Sequence, residues 1–366
     1  MEERLFTPGP VRLPERVKNV LGKQIIHHRT EEFRREFLEV RELFKRLLHN
    51  PSDNFVFFSS SGTGAMESAV LNFFEEGDKV IVINCGKFGE RWKQLAYHWK
   101  LEVIEYDVEW GKSFDPDVLA GIIKKNEDVK GVLYQISESS TGAYNDPYLI
   151  KEVIEYRDII TVADGITALG VYNIDPIKQG IDVLVGGSQK AFMLPPGLSM
   201  IWFSEKAERR LTNRAFYFNI KNELDKQKEG QTAFTPAISL ILAFKESLSM
   251  LLAEGMNEVE KNYRNISERL KEAFTRSNMR IFPEKPAISM TVVFTEKADE
   301  IRKELLSRGI RVAGGQDKLK GKIFRISHMG VDSYEIAGLL YHLDSILYSM
   351  GIIKERGILQ KTFGGG

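Results

Sequence analysis

Short apolar runs rich in β-branched and aromatic residues alternate with amphipathic segments between about residues 54 and 203. The runs predict strands: FVFFS, KVIVIN, LEVIEY, GVLYQIS, DIITVAD, IDVLVGGS and LSMIWFS. The amphipathic segments predict helices over 63–74, 87–99, 115–125 and 148–157. This alternation is typical of a mainly parallel sheet with helices on both faces. We therefore predict an α/β fold whose ligand binds at the carboxyl ends of the strands.

The pattern changes after residue 215. The segment 216–234 is polar without periodicity, and Pro236 then opens a long helical pattern. Two further strands, AISMTVVF and KIFRIS, with helices over 297–308 and 333–350, predict a smaller α+β domain. The predicted division is an N-terminal segment 1–50 packing on the small domain or a second subunit, a large domain 51–235, an inter-domain helix 236–277, a small domain 278–353 and a tail 354–366 with little to bury.

Composition excludes several partners. Lys+Arg and Asp+Glu are both 51, so the net charge is zero and no basic footprint for nucleic acid or a membrane surface is expected. No apolar run approaches the roughly 20 residues that span a bilayer. The single cysteine, Cys85, and a start without a cationic or apolar leader predict a cytoplasmic protein. The histidines show no metal-ligand spacing, so we expect no metal.

The sequence SSSGTGAMESAV follows the first strand of the large sheet. Ser61, Gly62 and Thr63 place small side chains and free backbone N–H groups at a helix start, which suits a phosphate dianion. A capped helix behind a tight turn explains the same residues without a ligand. A dinucleotide fingerprint would need glycine where Glu67 stands.

Two ionisable residues, Asp164 and Lys190, each follow an apolar strand. A carboxylate at the edge of a core is costly without a cation. A structural ion pair, or a solvated lysine, would satisfy the pattern. Pyridoxal 5'-phosphate (PLP) chemistry uses both groups, because a lysine amine condenses with the cofactor aldehyde and a carboxylate keeps the ring nitrogen protonated. Arg325, between Phe and Ile on a strand, must face water, a partner or an anion such as a carboxylate.

Taken in order, the motifs TPGP, SGTGAME, GKFGER, SESSTG, VADGITALGV, GGSQKAF, PPGL and KIFRISHMG resemble those of class V, fold-type I PLP-dependent aminotransferases. The likeness is greatest to the alanine–glyoxylate and serine–pyruvate aminotransferase branch. The resemblance implies a large domain with a seven-stranded-type sheet, a smaller C-terminal domain, PLP as cofactor, and transfer of an amino group between a small amino acid and a 2-oxo acid.

The resemblance also implies residue roles. Lys190 forms the Schiff base, Asp164 pairs with the ring nitrogen, and Arg325 binds the substrate α-carboxylate. The other implied cofactor contacts are Ile166 and Phe88 on the ring faces, Ser61, Gly62, Thr63 and Gln189 at the phosphate, and Ser139 at the ring hydroxyl and the substrate. Ser140 and Thr141 are chemically similar neighbours of Ser139, so the hydroxyl partner stays open among the three. His328 is expected to be structural.

The segment GQTAFTPAISL resembles one that crosses to the neighbouring subunit's phosphate in related enzymes. The resemblance makes Gln231 and Thr232 those donors and implies a homodimer with shared active sites. The alternative is a polar N-cap cluster before the helix that Pro236 opens.

The segment IIHHRTEEF bears on which amino acid donates the amino group. His28 and Arg29 fall where phosphoserine aminotransferases hold a substrate phosphate, which raises a phosphoserine donor, whereas the other motifs resemble the alanine/serine branch. We expect alanine or serine. In the simplest interpretation Arg29 pairs with Glu31 or Glu32.

Two other classes of protein compete with an aminotransferase. A cysteine desulfurase would need a nucleophilic cysteine on a mobile loop, but Cys85 ends an apolar strand. A non-catalytic scaffold with this fold would not need Lys190, Asp164 and Arg325. The sequence leaves the amino donor and the oxo-acid acceptor open.

Overall fold

We describe the protein from a computed structural model, which describes residues 3–154 and 157–364. The strands are β1 Arg4–Phe6, β2 Phe55–Phe58, β3 Lys79–Asn84, β4 Glu102–Asp107, β5 Gly131–Gln135, β6 Ser137–Glu138, β7 Ala143–Tyr144, β8 Ile160–Asp164, β9 Val183–Gly187, β10 Ser199–Phe203, β11 Arg280–Ile281, β12 Met290–Phe294, β13 Ile310–Gly314 and β14 Ile323–Ser327.

The α-helices are α1 Glu15–Leu21, α2 Glu31–Leu47, α3 Gly62–Phe73, α4 Lys87–His98, α5 Pro116–Lys125, α6 Pro147–Ile154, α7 Glu205–Glu208, α8 Ile220–Lys228, α9 Ile238–Glu254, α10 Met256–Arg276, α11 Ala298–Ser307, α12 Ser333–Ser349 and α13 Ile358–Gly364.

The seven strands expected from the apolar runs form one sheet in the order β2-β10-β9-β8-β5-β3-β4. Only β10 runs antiparallel to its neighbours, β2 and β9. Strands β2, β5, β8, β9 and β10 are buried along their whole length, as expected for a sheet with both faces covered. The predicted fold class is confirmed, and the carboxyl ends of β2, β3, β5, β8 and β9 all lie at one edge.

A second sheet, in the order β1-β13-β14-β12-β11, collects the C-terminal strands. The N-terminal strand β1 joins it by parallel pairing with β13. Helix α2 lies elsewhere, because Phe33, Phe37 and Phe44 pack in the core of the large sheet, where Phe44 contacts Phe57 at 5.4 Å between ring centroids. The first 50 residues therefore contribute to both halves of the molecule.

The helical pattern that Pro236 opens is not one helix. It breaks at Gly255, which has φ 86°, a left-handed conformation that glycine adopts without steric cost. Helices α9 and α10 result. Because a single glycine inside an apolar periodicity is tolerated in many helices, the pattern alone did not indicate the break.

The polar segment 216–234 contains α8, which the sequence did not predict. Its Gln227 is fully buried because the side-chain amide accepts from Phe57 N at 2.9 Å and donates to Phe57 O at 2.7 Å. Gln227 thus satisfies backbone groups of the edge strand β2. Because this buried position is polar, the helix lacks the regular apolar spacing that would have predicted it. The tail also differs from expectation, since α13 buries Leu359 and Phe363 against neighbouring helices.

Within residues 3–154 and 157–364, no helix has both the length and the apolar character needed to cross a membrane. The same residues contain no group of three or more His, Cys, Asp or Glu side chains arranged to hold a metal ion.

Candidate active site

Asp164 is the last residue of β8, and Lys190 lies three residues after β9, its parallel neighbour. Both side chains therefore belong to the same edge of the large sheet. Asp164 is buried, and its Oδ1 accepts a hydrogen bond from Ile166 N at 2.8 Å. Burial raises the pKa of Asp164 to about 7, although the positive charges of Lys190 and Arg91 oppose the rise. This carboxyl group suits a cationic partner.

The amine of Lys190 is largely removed from water. Burial lowers its pKa to about 8; the charge of Asp164 opposes the shift, and those of Arg325 and Arg91 reinforce it. A solvated lysine would stay protonated far above neutral pH, whereas a sizeable fraction of this one is a free amine near pH 8. The amine is thus suited to act as a nucleophile or a base.

The start of α3 adjoins the two strand ends. Ser61 caps the helix, its Oγ accepting from Gly64 N at 3.4 Å. A Cβ on Gly62 would lie 2.5 Å from Ile166 Cδ1, so these residues are in direct contact. A Cβ on Gly187 would lie 3.5 Å from Gly62 Cα and 3.1 Å from Gln189 Oε1. The structure therefore brings Ser61, Gly62, Ile166 and Gln189 together.

Arg325 comes from the small sheet but reaches the large one. It is 8% exposed; its Nε donates to Gly314 O at 2.9 Å and its Nη1 to Ser139 O at 2.6 Å. Burial lowers its pKa to about 10 against the charge of Glu138, so the guanidinium stays cationic at neutral pH. These two bonds use only part of its five donors, which leaves donors for a carboxylate.

The three hydroxyls of SESSTG are used differently. Ser140 Oγ donates to Glu138 Oε1 at 2.6 Å and accepts from Lys87 N at 3.0 Å. Thr141 Oγ1 lies 3.4 Å from Cys85 O. No hydrogen bond within the described chain involves Ser139 Oγ. The Ser140 and Thr141 hydroxyls therefore bond to other groups of the chain, whereas the Ser139 hydroxyl is available to a ligand.

Glu138 is a site residue that the sequence did not single out. Its Oε2 accepts from Phe88 N at 3.0 Å and Gly89 N at 3.1 Å, so a buried carboxylate closes the N-terminus of α4. Burial raises the pKa of Glu138 while hydrogen bonds from Ser140, Gly89 and Phe88 lower it. Because its partners lie about 50 residues away, no local pattern reveals this role.

Arg91 is a second residue missed at the sequence level. Its Nη1 donates to Thr63 Oγ1 at 3.1 Å, and its guanidinium carbon lies 4.9 Å from the centre of the Phe88 ring. The spacing of Phe88 and Arg91 on one helix, three residues apart, was the available signal.

The expected substrate residue Arg29 lies with the two expected inter-subunit donors. Its Nη1 donates to Gln231 Oε1 at 3.1 Å and to Thr232 O at 2.9 Å. Glu31 pairs with Arg34 instead of Arg29. The N-cap alternative is not supported, because the cap of α9 is Ala237 without a side-chain hydrogen bond. Among the hydrogen bonds of the described residues, none joins this group to Lys190, Asp164 or Arg325; His28 is half-buried next to Arg29.

Two further residues do not belong to the chemistry. Cys85 is buried, and burial raises its pKa to about 12, so it is not the reactive thiolate that a desulfurase needs. His328 is fully buried, with Nδ1 donating to Ile288 O at 2.7 Å and Nε2 facing Thr291 Oγ1 at 2.9 Å. Burial lowers its pKa to about 4, which fits a structural role.

Comparisons with known proteins identify the family of the chain. The family model of class-V aminotransferases matches residues 16–330. The soluble hydrogenase 42 kDa subunit of Anabaena cylindrica is 34% identical over 359 residues, which are 95% of this chain and 94% of that protein. A serine–glyoxylate aminotransferase of Hyphomicrobium methylovorum is 29% identical, covering 96% of this chain and 91% of that one.

Among solved structures, an aspartate aminotransferase of subgroup IV from Thermus thermophilus superposes with a TM-score of 0.87 at 31% identity, over 99% of both chains. Because the family model matches most of this chain, the chain belongs to the class-V aminotransferases and is a transaminase.

Proposed function

We propose that this transaminase uses PLP bound to Lys190 and moves the amino group of alanine or serine to a 2-oxo acid such as glyoxylate or pyruvate. The observation that supports this most is that a partly buried lysine, with its pKa lowered to about 8, lies at the same edge of the sheet as the buried carboxyl of Asp164. A structural ion pair would not need two weakened charges at the ligand-binding edge of a sheet.

The residues present fit PLP. A phosphate group suits the N–H groups at the start of α3, beside Ser61, Gly62 and Thr63. Nearby, Gln189 Oε1 is buried without a hydrogen-bond partner in the described chain, and turning its amide would present Nε2 as a donor. Ile166 and Phe88 offer apolar surfaces for the ring, and the Ser139 hydroxyl is available to bond to the ring hydroxyl.

When bound, PLP supplies a carbonyl carbon for an amine and a ring that takes up electrons from the substrate α-carbon. Asp164 would hold the proton on the ring nitrogen, because a buried carboxylate stabilises an adjacent positive charge. Arg325 binds the substrate carboxylate with its remaining donors and fixes the orientation of the α-carbon. With the cofactor bound, Lys190 Nζ would serve as the base that accepts the substrate α-proton and gives it back later in the amino transfer.

The choice of substrates draws on the relatives. The relative from Hyphomicrobium methylovorum is named for serine and glyoxylate, whereas the Thermus thermophilus structure is named for aspartate. The Ser140 and Thr141 hydroxyls bond within the protein, and Arg91 contacts Thr63 and Phe88. Arg325 is then the arginine proposed for the substrate, which favours a donor with a single carboxylate. We therefore keep alanine or serine as donor and treat phosphoserine as the alternative.

We further propose that the active unit is a homodimer. Phe216 is 86% exposed and lies with Tyr217 around Phe234, at ring-centroid distances of 6.0 and 5.3 Å from the latter. An exposed aromatic cluster is typical of an interface, and Gln231 and Thr232 lie shortly before its third member, Phe234. In the dimer these two residues would approach the neighbouring subunit's phosphate site.

The proposed function is tested by adding PLP to the apoprotein and recording the visible absorbance, followed by single half-reactions with alanine, serine, aspartate and phosphoserine. We expect absorbance that disappears in Lys190→Ala and bleaches with alanine or serine in the wild type. Retained absorbance and turnover in Lys190→Ala would contradict the role of Lys190. Lys206→Ala, which removes a lysine bound to Ile159 O and Asp182, is the matched control.

The dimer is tested by mixing two inactive variants, Lys190→Ala and the double variant Gln231→Ala/Thr232→Ala. If each site is built from two subunits, a mixed dimer contains one complete site, and activity returns on mixing. No recovery in a mixture shown by light scattering to contain dimers would contradict the shared site.

A further inference from the structure

Arg91 joins two walls of the candidate site that come from different helices. It projects from α4, and its Nη1 reaches Thr63 Oγ1 at 3.1 Å in the first turn of α3. Its guanidinium also lies over the ring of Phe88, 4.9 Å from the ring centre. One side chain thus contacts both the phosphate end and a ring-facing wall.

The direction of the hydrogen bond matters for ligand binding. A guanidinium can only donate, so Thr63 Oγ1 must be the acceptor. The hydroxyl proton of Thr63 is therefore not used in this bond and stays available for an anion. A threonine held in this way is a better phosphate donor than a freely rotating one, because its rotamer is fixed before the ligand arrives.

The charge of Arg91 also acts on the reacting groups. The charged groups that face Lys190 are Asp164, Arg325 and Arg91, of which the first favours the protonated amine and the other two oppose it. Asp164 likewise experiences the positive charge of Arg91. Arg325 is held by Ser139 O and Gly314 O in the small sheet, whereas Arg91 links α3 and α4, so the two cations come from different parts of the fold.

We propose that Arg91 is a positioning residue of the cofactor site, which presents the Thr63 hydroxyl to the phosphate, supports the Phe88 ring and supplies a fixed positive charge near Lys190. This inference rests on the proposed use of PLP. A purely structural Arg91 would only tie α3 to α4, and its loss would then lower stability without changing PLP affinity at a given folded fraction.

The first experiment measures the PLP dissociation constant of folded apoprotein by titration of the visible absorbance. We expect Arg91→Gln to bind PLP about tenfold more weakly, since it loses a charge-assisted hydrogen bond and a nearby cation. Arg91→Lys keeps the charge but loses the planar fork, so a smaller loss is expected. Thr63→Val should weaken binding too, and adding Arg91→Gln to it should have less effect than in the wild type, because both changes disable one donor.

The matched control is Arg210→Gln. Arg210 links two segments as Arg91 does, but it donates to backbone carbonyls, Lys130 O and Asp158 O, which precede β5 and β8 at the opposite edge of the sheet. Its loss should affect thermal unfolding without changing PLP affinity.

The second experiment needs no cofactor. The rate at which an amine-reactive reagent labels Lys190 in apoprotein is followed against pH by mass spectrometry. Because the charge of Arg91 opposes protonation, removing it in Arg91→Gln should raise the pKa of Lys190 above about 8, whereas Arg91→Lys should leave it near the wild-type value.

The outcomes separate the two proposals. Wild-type protein that does not bind PLP would contradict the proposed function itself. Wild-type protein that binds PLP, together with folded Arg91→Gln protein of equal affinity and unchanged Lys190 titration, would overturn the role of Arg91. If Arg91→Gln does not fold, Arg91→Lys decides: weaker PLP binding with an unchanged Lys190 titration supports the role, and unchanged binding overturns it.

Discussion

Gly9 lies against the side chain of Lys190. A Cβ atom at position 9 would stand 2.6 Å from Lys190 Nζ and 2.7 Å from its Cδ, distances that real Cβ atoms do not show. Gly9 also has φ 154°, which disfavours any side chain. The TPGP motif, near the start of the chain, therefore forms part of the wall around the Lys190 amine, and a larger residue at position 9 would have to push the lysine side chain aside.

Gly9→Ala is expected to displace Lys190 and to slow PLP capture by tenfold or more, about 1.4 kcal/mol of barrier. The rate of appearance of visible absorbance after mixing with PLP measures this. Gly77→Ala is the control, since Gly77 has φ 85° but nothing within 4 Å of an added Cβ, so it adds backbone strain without a collision. Equal capture rates in the two variants would show that crowding at Lys190 is not the cause.

A second prediction concerns the pH dependence of stability. Burial raises the pKa of Asp164 from 3.8 to about 7. A carboxyl with a raised pKa stabilises the fold most when protonated, below its unfolded pKa, and that contribution is lost as the pH rises through about 7. Asp164→Asn does not titrate, so the variant should be more stable than wild-type apoprotein at pH 8, by an amount on the order of 3 kcal/mol or less, and similar to it near pH 4.

Chemical denaturation of both apoproteins from pH 4 to 8 measures this difference. A difference in stability that stays constant from pH 4 to 8 would show that burial does not raise the pKa of Asp164. The same substitution should lower turnover of the PLP-loaded protein at least tenfold, because a neutral amide cannot hold the ring proton as a carboxylate does.

Lys190 and Asp164 could be singled out from the sequence because each comes at the end of a short apolar run that reads clearly as a strand. The sheet order could not be read from the strands, yet parallel β8 and β9 place both residues at one edge. Local patterns carry this information, so these parts of the site were accessible before the structure.

Glu138 and Arg91 could not be assigned in the same way, because each acts on a partner far along the chain. Glu138 closes α4 across about 50 residues, and Arg91 reaches Thr63 across 28 residues. The buried Gln227 of α8 was missed for a related reason, since its contact with Phe57 outweighs the local preference. The break at Gly255 is different, because it follows from the local backbone conformation of one glycine.

Arg325→Lys should raise the Michaelis constant for every amino donor by about tenfold with a smaller change in kcat, because lysine keeps the charge but loses the two-point grip on a carboxylate. Steady-state kinetics with several donors measures this. Arg311→Lys is the control, since Arg311 lies in the same sheet but pairs with Glu3 at the surface. An unchanged constant in Arg325→Lys would place Arg325 outside the substrate site.

The last prediction concerns the donor. Arg29 already donates to Gln231 Oε1 and Thr232 O, so its guanidinium is engaged in holding the segment proposed to cross the dimer interface. We therefore expect kcat/KM for serine or alanine to exceed that for phosphoserine, and Arg29→Ala to lower all three by similar factors. Arg34→Ala, which removes a neighbouring arginine bound to Glu31 and Glu229 O, should have little effect on these ratios. A phosphoserine preference above about tenfold, near 1.4 kcal/mol, that collapses in Arg29→Ala would instead make Arg29 a phosphate-binding residue and the protein a phosphoserine aminotransferase.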